Sequence, residues 1–231
     1  MSFDPAKQAT LEEALAQAKL NPSSADNWNR AAIASIQLND LEKAVEYIGH
    51  AIAIEPQDAL NYSNRGRVLF GLGRLQEALA DYSQAIELAP SAELYSSRSV
   101  VNVALGKEAA ALFDLNDAID LAPTAENYLN RAAFFANKSI TGDALRDISK
   151  VIELKPDDPN HRLTRANLAF AAGQNELGIS DVEEAIRLDQ SGVVQHSLLQ
   201  LADQLEAHLS TSPQPEVSRR LIKLIREKSQ Q

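Results

Sequence analysis

The chain of 231 residues has no cysteine. That excludes disulfides, thiolate catalysis and thiolate metal ligation, and leaves the redox compartment open. Aromatics are few: one tryptophan, five tyrosines and six phenylalanines, too sparse for a base-stacking platform on nucleic acid. No stretch approaches the ~18 consecutive apolar residues of a membrane span. Met1 to Gln17 carries acids and polar side chains where a secretory leader would need an apolar core. The expectation is a soluble, cytoplasmic protein. Positive charge is short too, with 22 Lys and Arg against 32 Asp and Glu and a net charge of −10. The segment from Gln214 to Gln231 nevertheless holds Arg219, Arg220, Lys223, Arg226 and Lys228 against Glu216 and Glu227, so the rest of the chain stands at −13. A body that acidic repels nucleic acid and anionic lipid, and neither is an expected partner.

Catalytic constellations are missing as well. His50, His161, His196 and His208 lie scattered, without metal-ligand spacing. Gly71-Leu72-Gly73 closes a helical pattern instead of opening a helix after a strand, so it is no phosphate loop. Ser63, Ser96 and Ser97 have no base beside them in sequence. Pairs such as Glu12-Glu13, Asp157-Asp158 and Glu183-Glu184 fit solvated turns and outer faces. The residues therefore point to no enzyme, no cofactor and no metal.

What the chain does have is one phrase that returns five times. It reads Ala51-Ile52-Ala53-Ile54-Glu55-Pro56, Ala85-Ile86-Glu87-Leu88-Ala89-Pro90 and Ala118-Ile119-Asp120-Leu121-Ala122-Pro123. It continues as Val151-Ile152-Glu153-Leu154-Lys155-Pro156 and ends, without proline, as Ala185-Ile186-Arg187-Leu188-Asp189-Gln190. Successive returns are 34, 33, 33 and 34 residues apart. A fixed period of this size means stacked supersecondary units, each unable to bury its apolar face alone. Within the second unit Tyr62, Leu69 and Leu72 precede Gly73-Arg74, and Leu75, Ala78, Leu79, Tyr82, Ala85, Ile86 and Leu88 follow. Spacings of three and four predict two helices with the glycine between them, and Pro90 stops the second. Residues 5–20 read as a leading helix, with Leu11, Ala14, Leu15 and Ala18 on one face and Leu20-Asn21-Pro22 echoing the closing phrase. After the repeats, Val194, Leu198, Leu201, Leu205 and Leu209 form one helical stripe, Ser212-Pro213-Gln214-Pro215 breaks it, and Val217, Leu221, Leu224 and Ile225 mark a last basic amphipathic helix. That helix is expected to pack back as a second cap, with dimerisation through it as the alternative.

This pattern resembles the tetratricopeptide repeat, whose motif has an aromatic at position 4, small residues at 8, 20 and 27, Gly at 15 and Pro at 32. Position 4 carries Trp28, Tyr62, Tyr95, Tyr128 and Arg162; position 8 carries Ala32, Gly66, Ser99, Ala132 and Ala166. Position 20 carries Ala44, Ala78, Ala111, Ala144 and Gly178, and position 27 carries Ala51, Ala85, Ala118, Val151 and Ala185. The resemblance implies an all-α, right-handed superhelical solenoid of five helical hairpins at 25–58, 59–91, 92–124, 125–158 and 159–192. Capping segments at 1–24 and 193–231 complete it. The fifth hairpin departs from the motif at Arg162 and Gln190, and the turn glycine is replaced by Asn39 in the first and Ser139 in the fourth. Asn102 falls where neighbouring repeats have Leu69 and Phe135, and needs a partner or a water.

Arginine recurs at position 7 (Arg65, Arg98, Arg131, Arg165) wherever aspartate recurs at position 23 (Asp81, Asp114, Asp147, Asp181); the first repeat has Ala31 and Tyr47 instead. The correlation implies a pair inside each hairpin, with an anion-binding arginine ladder as the less favoured reading. The resemblance also implies a concave face on the first helix of each hairpin, suited to an extended peptide or a helix. Carried over by position, that face holds Asn29, Arg30, Ile33 and Ile36, then Ser63, Asn64, Arg67 and Phe70. It continues with Ser97, Val100 and Val103, then Asn130, Ala133 and Asn137, and ends with Thr164, Asn167 and Phe170. Asparagines can clamp a peptide backbone through donor and acceptor, while Ile36, Phe70, Val103 and Phe170 can take side chains. With only Arg30 and Arg67 basic, a neutral or moderately apolar segment fits better than an acidic tail. The expected function is a non-catalytic protein-interaction scaffold; the alternative is a structural protein that self-assembles through its terminal helices.

Overall fold

The computed structural model describes residues 5–189, 192–207 and 214–228, and among them it contains thirteen α-helices and no strand. In order these are α1 (Pro5–Leu20), α2 (Ala25–Gln37), α3 (Leu41–Ile54), α4 (Ala59–Gly71), α5 (Leu75–Leu88), α6 (Ala92–Ala104) and α7 (Glu108–Leu121). There follow α8 (Ala125–Asn137), α9 (Thr141–Leu154), α10 (Pro159–Ala171), α11 (Asn175–Leu188), α12 (Val193–Ala207) and α13 (Pro215–Lys228). Gln190, His208, Leu209 and Ser212-Pro213 lie outside the described residues. The chain divides into two compact units, Met1–Ala122 with α1 to α7 and Pro123–Gln231 with α8 to α13.

From α2 to α11 the helices pack as consecutive pairs, α2 on α3, α4 on α5, α6 on α7, α8 on α9 and α10 on α11. Local chemistry explains why each pair starts and turns where it does. The first helix of every pair opens on a side-chain cap: Ser24, Asp58, Ser91, Thr124 and Asp158 each accept a backbone N–H from the first turn. It closes on a left-handed residue, Asn39, Gly73, Gly106, Ser139 or Gly173, with φ between 59° and 74°. At that turn two backbone N–H groups reach back, as Gly73 to Phe70 and Arg74 to Leu69 do at 3.0 and 2.9 Å, which satisfies carbonyls that the helix end would orphan. Asn39 and Ser139 make the same bonds, so the two departures from glycine keep the geometry and bear its strain. The second helix then ends at Glu55, Ala89, Ala122 or Lys155, each extended because a proline follows.

Small residues set the spacing within the pairs. Ala44, Ala78, Ala111 and Ala144 have no exposed surface, and Ala51, Ala85, Ala118, Val151 and Ala185 are equally buried. At Gly66 even a methyl would press on the Tyr82 ring at 3.2 Å, so α4 approaches α5 as closely as the backbone permits. The recurrent Ile52, Ile86, Ile119 and Ile152 are buried too, at 7 to 9 % exposure.

The ends of the array are covered by helices of their own. In the first unit α1 lays Leu11, Ala14 and Ala18 on α2. In the second, α13 packs on both α12 and α11, and Leu221, Ile222 and Ile225 join Val194, Leu198 and Ala202 in one core with Val182 and Ala185. The basic face of α13 meets acids of its own unit: Arg220 pairs with Glu176, Arg226 with Asp203 and Glu206, and Lys228 with Glu183. The last helix thus caps its own chain.

Candidate functional site

The position-7 arginines and position-23 aspartates meet inside each hairpin. Arg65 donates Nε and Nη2 to the two oxygens of Asp81 at 2.7 Å each, and Arg165 does the same to Asp181 at 2.8 Å. Arg131 binds Asp147 at 2.9 and 2.8 Å, and Arg98 binds Asp114 through Nη2 at 2.7 Å. The carboxylates are 2 to 7 % exposed and the arginines 18 to 27 %, so these are largely desolvated, bidentate pairs and no open anion ladder. The carboxylate bonds hold the guanidinium groups of Arg65, Arg98 and Arg165 above their ordinary range, against the opposing effect of burial. Asn102 has its partner here, donating to Asp114 at 2.9 Å.

Two features of these pairs escape a reading of the sequence by position alone. Tyr62, Tyr95 and Tyr128 place their rings 5.6 to 5.9 Å under the guanidinium groups of Arg65, Arg98 and Arg131. The aromatic at position 4 and the arginine at position 7 are therefore one stack, and Arg162 breaks it. The free Nη1 of Arg98 bonds Ser83 on the preceding hairpin at 3.2 Å, and that of Arg165 bonds Ser149 at 3.1 Å. Serine at position 25 was the available signal.

The arginine ladder is thus closed, and the positions carried over from the resemblance lie on the first helices of the hairpins. In the first unit Ile33, Val100 and Val103 are 55, 52 and 48 % exposed, and Leu60, one turn before Asn64, is 63 % exposed. Arg67 is exposed too and donates to Asn64 at 3.5 Å; no ion pair engages it among the described residues. Arg30 is held by Asp26 at 3.1 Å. Arg30 and Ile33 also line a pocket of about 320 Å³ with Thr10, Glu13 and Gln17 of α1. Ile36 and Phe70 are half-buried against the core, and Ser63 is half-buried. Asn29 is half-buried and donates to the buried Asn61 at 2.8 Å. Ser97 bonds Tyr82, whose hydroxyl burial pushes above its ordinary value in spite of that bond. Asn29 and Ser97 thus serve the scaffold as well as the face.

The second unit differs in character. Asn130, Ala133 and Asn137 of α8 are exposed, as is Asn167 of α10. Thr164 is exposed but turns its hydroxyl back to the Asn160 carbonyl at 2.9 Å. Phe170 is half-buried and packs with the terminal core. Leu60 is the exposed residue that the position-by-position transfer left out, although a bulky apolar group at position 2 is readable in sequence. Among the described residues no group of three or more His, Asp or Glu could hold a metal. None of their helices is long and apolar enough to cross a membrane.

A tetratricopeptide-repeat family model matches residues 31–97, the stretch that runs from α2 into α6. That stretch carries tetratricopeptide repeats. In sequence it is 35 % identical over 76 residues to small glutamine-rich tetratricopeptide repeat-containing protein 2 of Mycosarcoma maydis. That match takes in 33 % of this chain and 22 % of the relative, so the chain spans about a fifth of the length of the curated relative it matches. In structure it is similar to the C-terminal part of a tetratricopeptide-repeat protein of Cytophaga hutchinsonii, with a TM-score of 0.75 at 16 % identity over 95 % of this chain and 89 % of that one. It is similar also to YrrB, described as a repeat protein with an unusual peptide-binding site, with a TM-score of 0.60 at 19 % identity over 80 % of this chain and 96 % of YrrB. MamA of Desulfovibrio magneticus matches with a TM-score of 0.63 at 16 % identity, over 73 % of this chain and 97 % of that one. Such identities speak for the fold.

Proposed function

We propose that the protein binds a neutral to moderately apolar peptide or helix on the exposed face of its first helices, and that it does so without catalysis. In this reading five repeats span 25–58, 59–91, 92–124, 125–158 and 159–192 between helical caps. One observation carries it: on the first helices of the first unit Ile33, Leu60, Val100 and Val103 are about half exposed or more, and the exposed Arg67 makes no ion pair among the described residues. Scattered apolar side chains need no explanation, but bulky exposed ones that recur on the first helices, with an arginine that has no ion pair, offer a surface that a partner would cover. An apolar segment gains burial there, and Arg67 can bond its backbone carbonyls or one carboxylate.

Assembly through the terminal helices is the weaker reading, because α13 spends its apolar stripe on its own unit. The test is affinity capture followed by mass spectrometry, with the parent chain beside an Arg67→Glu/Val103→Asp variant. Both positions are exposed, so the variant keeps its helical circular dichroism and melting temperature. It should lose the captured partner. Undiminished capture by a folded variant would move the site off this face.

A further inference from the structure

The second unit holds a pocket of about 530 Å³ that the repeat pattern does not require. Its walls are Leu163 and Phe170 from α10, Leu201 and Leu205 from α12, and Val217 and Leu221 from α13. The polar remainder is amide and hydroxyl; none of its lining residues is charged, in a chain with 23 % charged residues. The basic residues of α13 are already paired, Arg220, Arg226 and Lys228 with Glu176, Asp203, Glu206 and Glu183, and Arg219 and Lys223 with Glu216 and Glu227 of the same helix. A charged group entering would lose its hydration without gaining a partner. The volume lies within the range of ligand sites, and interiors do not ordinarily leave so large an apolar space.

A second observation concerns how the space stays open. At Gly178 an added Cβ would stand 2.5 Å from the Phe170 ring. The corresponding positions are alanine in the other four hairpins, Ala44, Ala78, Ala111 and Ala144, all fully buried. Only in the fifth does the missing methyl leave a recess in α11, and the Phe170 ring lies in it. A methyl there would drive the ring out, into the pocket it borders.

We propose that this pocket is an anchor site for bulky uncharged side chains of a peptide partner, one aromatic or two branched aliphatic, with the exposed Asn167 of its lining bonding the peptide's backbone. The proposal rests on the peptide-binding reading and adds the composition of a peptide that the second unit takes by itself. Random peptides displayed on phage and selected on the full chain test it, followed by fluorescence anisotropy on the enriched sequences. Enriched peptides should carry bulky uncharged residues. Gly178→Ala should weaken them about tenfold or more, and Gly178→Ala/Phe170→Leu should restore them. Ser197→Trp, at the exposed rim, plugs the same space without touching the core and should give the same loss even if Gly178→Ala melts early. Phe113→Ser, exposed on α7, should bind as the parent does. Peptides that bind Gly178→Ala and Ser197→Trp as tightly as the parent overturn the anchor and leave the face of the first unit standing. A selection that enriches nothing overturns both. Saturable binding of the neutral dye Nile red that no selected peptide displaces would assign the pocket to a small apolar molecule. A parent dimer in light scattering that Ser197→Trp abolishes would assign it to a second copy. Either overturns the proposal.

Discussion

Removing Arg98 should reveal how much the buried pairs hold. Asp114 is 3 % exposed and accepts from Arg98 Nε and Nη2 and from Asn102, while Arg98 Nη1 bonds Ser83. Arg98→Met leaves the carboxylate buried with one neutral donor, and breaking such a pair costs about 3–5 kcal/mol. Because Arg98 keeps 23 % of its side chain in solvent, the lower end applies, about 3 kcal/mol. Replacing both partners removes the charge that needs solvation, but it strands Asn102. The variant that isolates the effect is therefore Arg98→Met/Asp114→Leu/Asn102→Leu, with leucine at the position that Leu69 holds in the preceding hairpin. It should lie within about 1 kcal/mol of the parent, because packed apolar replacements of buried ion pairs are near neutral. Repeat arrays need not unfold in one step, so the readout is native-state hydrogen exchange of α6 and α7 in urea, with Arg131→Met and Asp147→Leu as a parallel cycle. If Arg98→Met and Asp114→Leu simply add, or the triple variant is worse than their sum, the pairs are not coupled and the account fails.

Three further outcomes follow from particular positions. Gly49 occupies the place of Ser83 and Ser149, and a Cβ there would lie 3.9 Å from Arg65 Nη1, so Gly49→Ser can supply the missing acceptor. Gly49→Ala should gain about 1 kcal/mol from helix propensity; the serine should exceed it through a charge-assisted bond, and a serine variant no more stable than the alanine one would deny that bond. Ser139→Gly relieves a φ of 59° and should raise the fourth hairpin's stability by about 1 kcal/mol in the same exchange experiment, whereas Gly73→Ser should lower the second's by a similar amount. The Arg220 guanidinium hydrogen-bonds Glu176 and holds its carboxyl below the usual range. A depressed value contributes stability above the unfolded pKa of about 4.3 and loses it as pH falls through the folded value. Protection of α13 should therefore drop below that pH, and also at neutral pH in high salt. Protection unchanged at pH 3.5 would show that the apolar stripe alone docks the helix.

The sequence made the hairpins legible because their causes are local and repeat: a cap, a left-handed turn residue, a small residue at each contact, a proline stop. The Arg–Asp pairing was legible for a different reason, a correlation that the first hairpin breaks at both ends, with Ala31 and Tyr47. The candidate face was legible only as a set of helix positions. Nothing in the spelling of Ser97 or Asn29 tells that Tyr82 and Asn61 engage them. Nor does it tell that Arg30 is held by Asp26 while Arg67 is not.

What lay beyond the sequence arises where the repeat stops. α12 continues the period by its stripe, but α13 comes in against α11 as well as α12, and that docking walls off the space beside Phe170. No periodicity forecasts it, because it brings together residues 44 and 20 positions apart, such as Glu176 with Arg220 and Glu206 with Arg226. Gly178 shows the same limit from the other side. Read in sequence, it is a small residue at a small-residue position, a conservative change from alanine. In the structure it is the one hairpin where that position must be glycine, because an aromatic ring occupies the methyl's place. A repeat scaffold gains specificity where one copy departs from the others, and here the loss of one methyl in α11 changes what α10 can offer a partner.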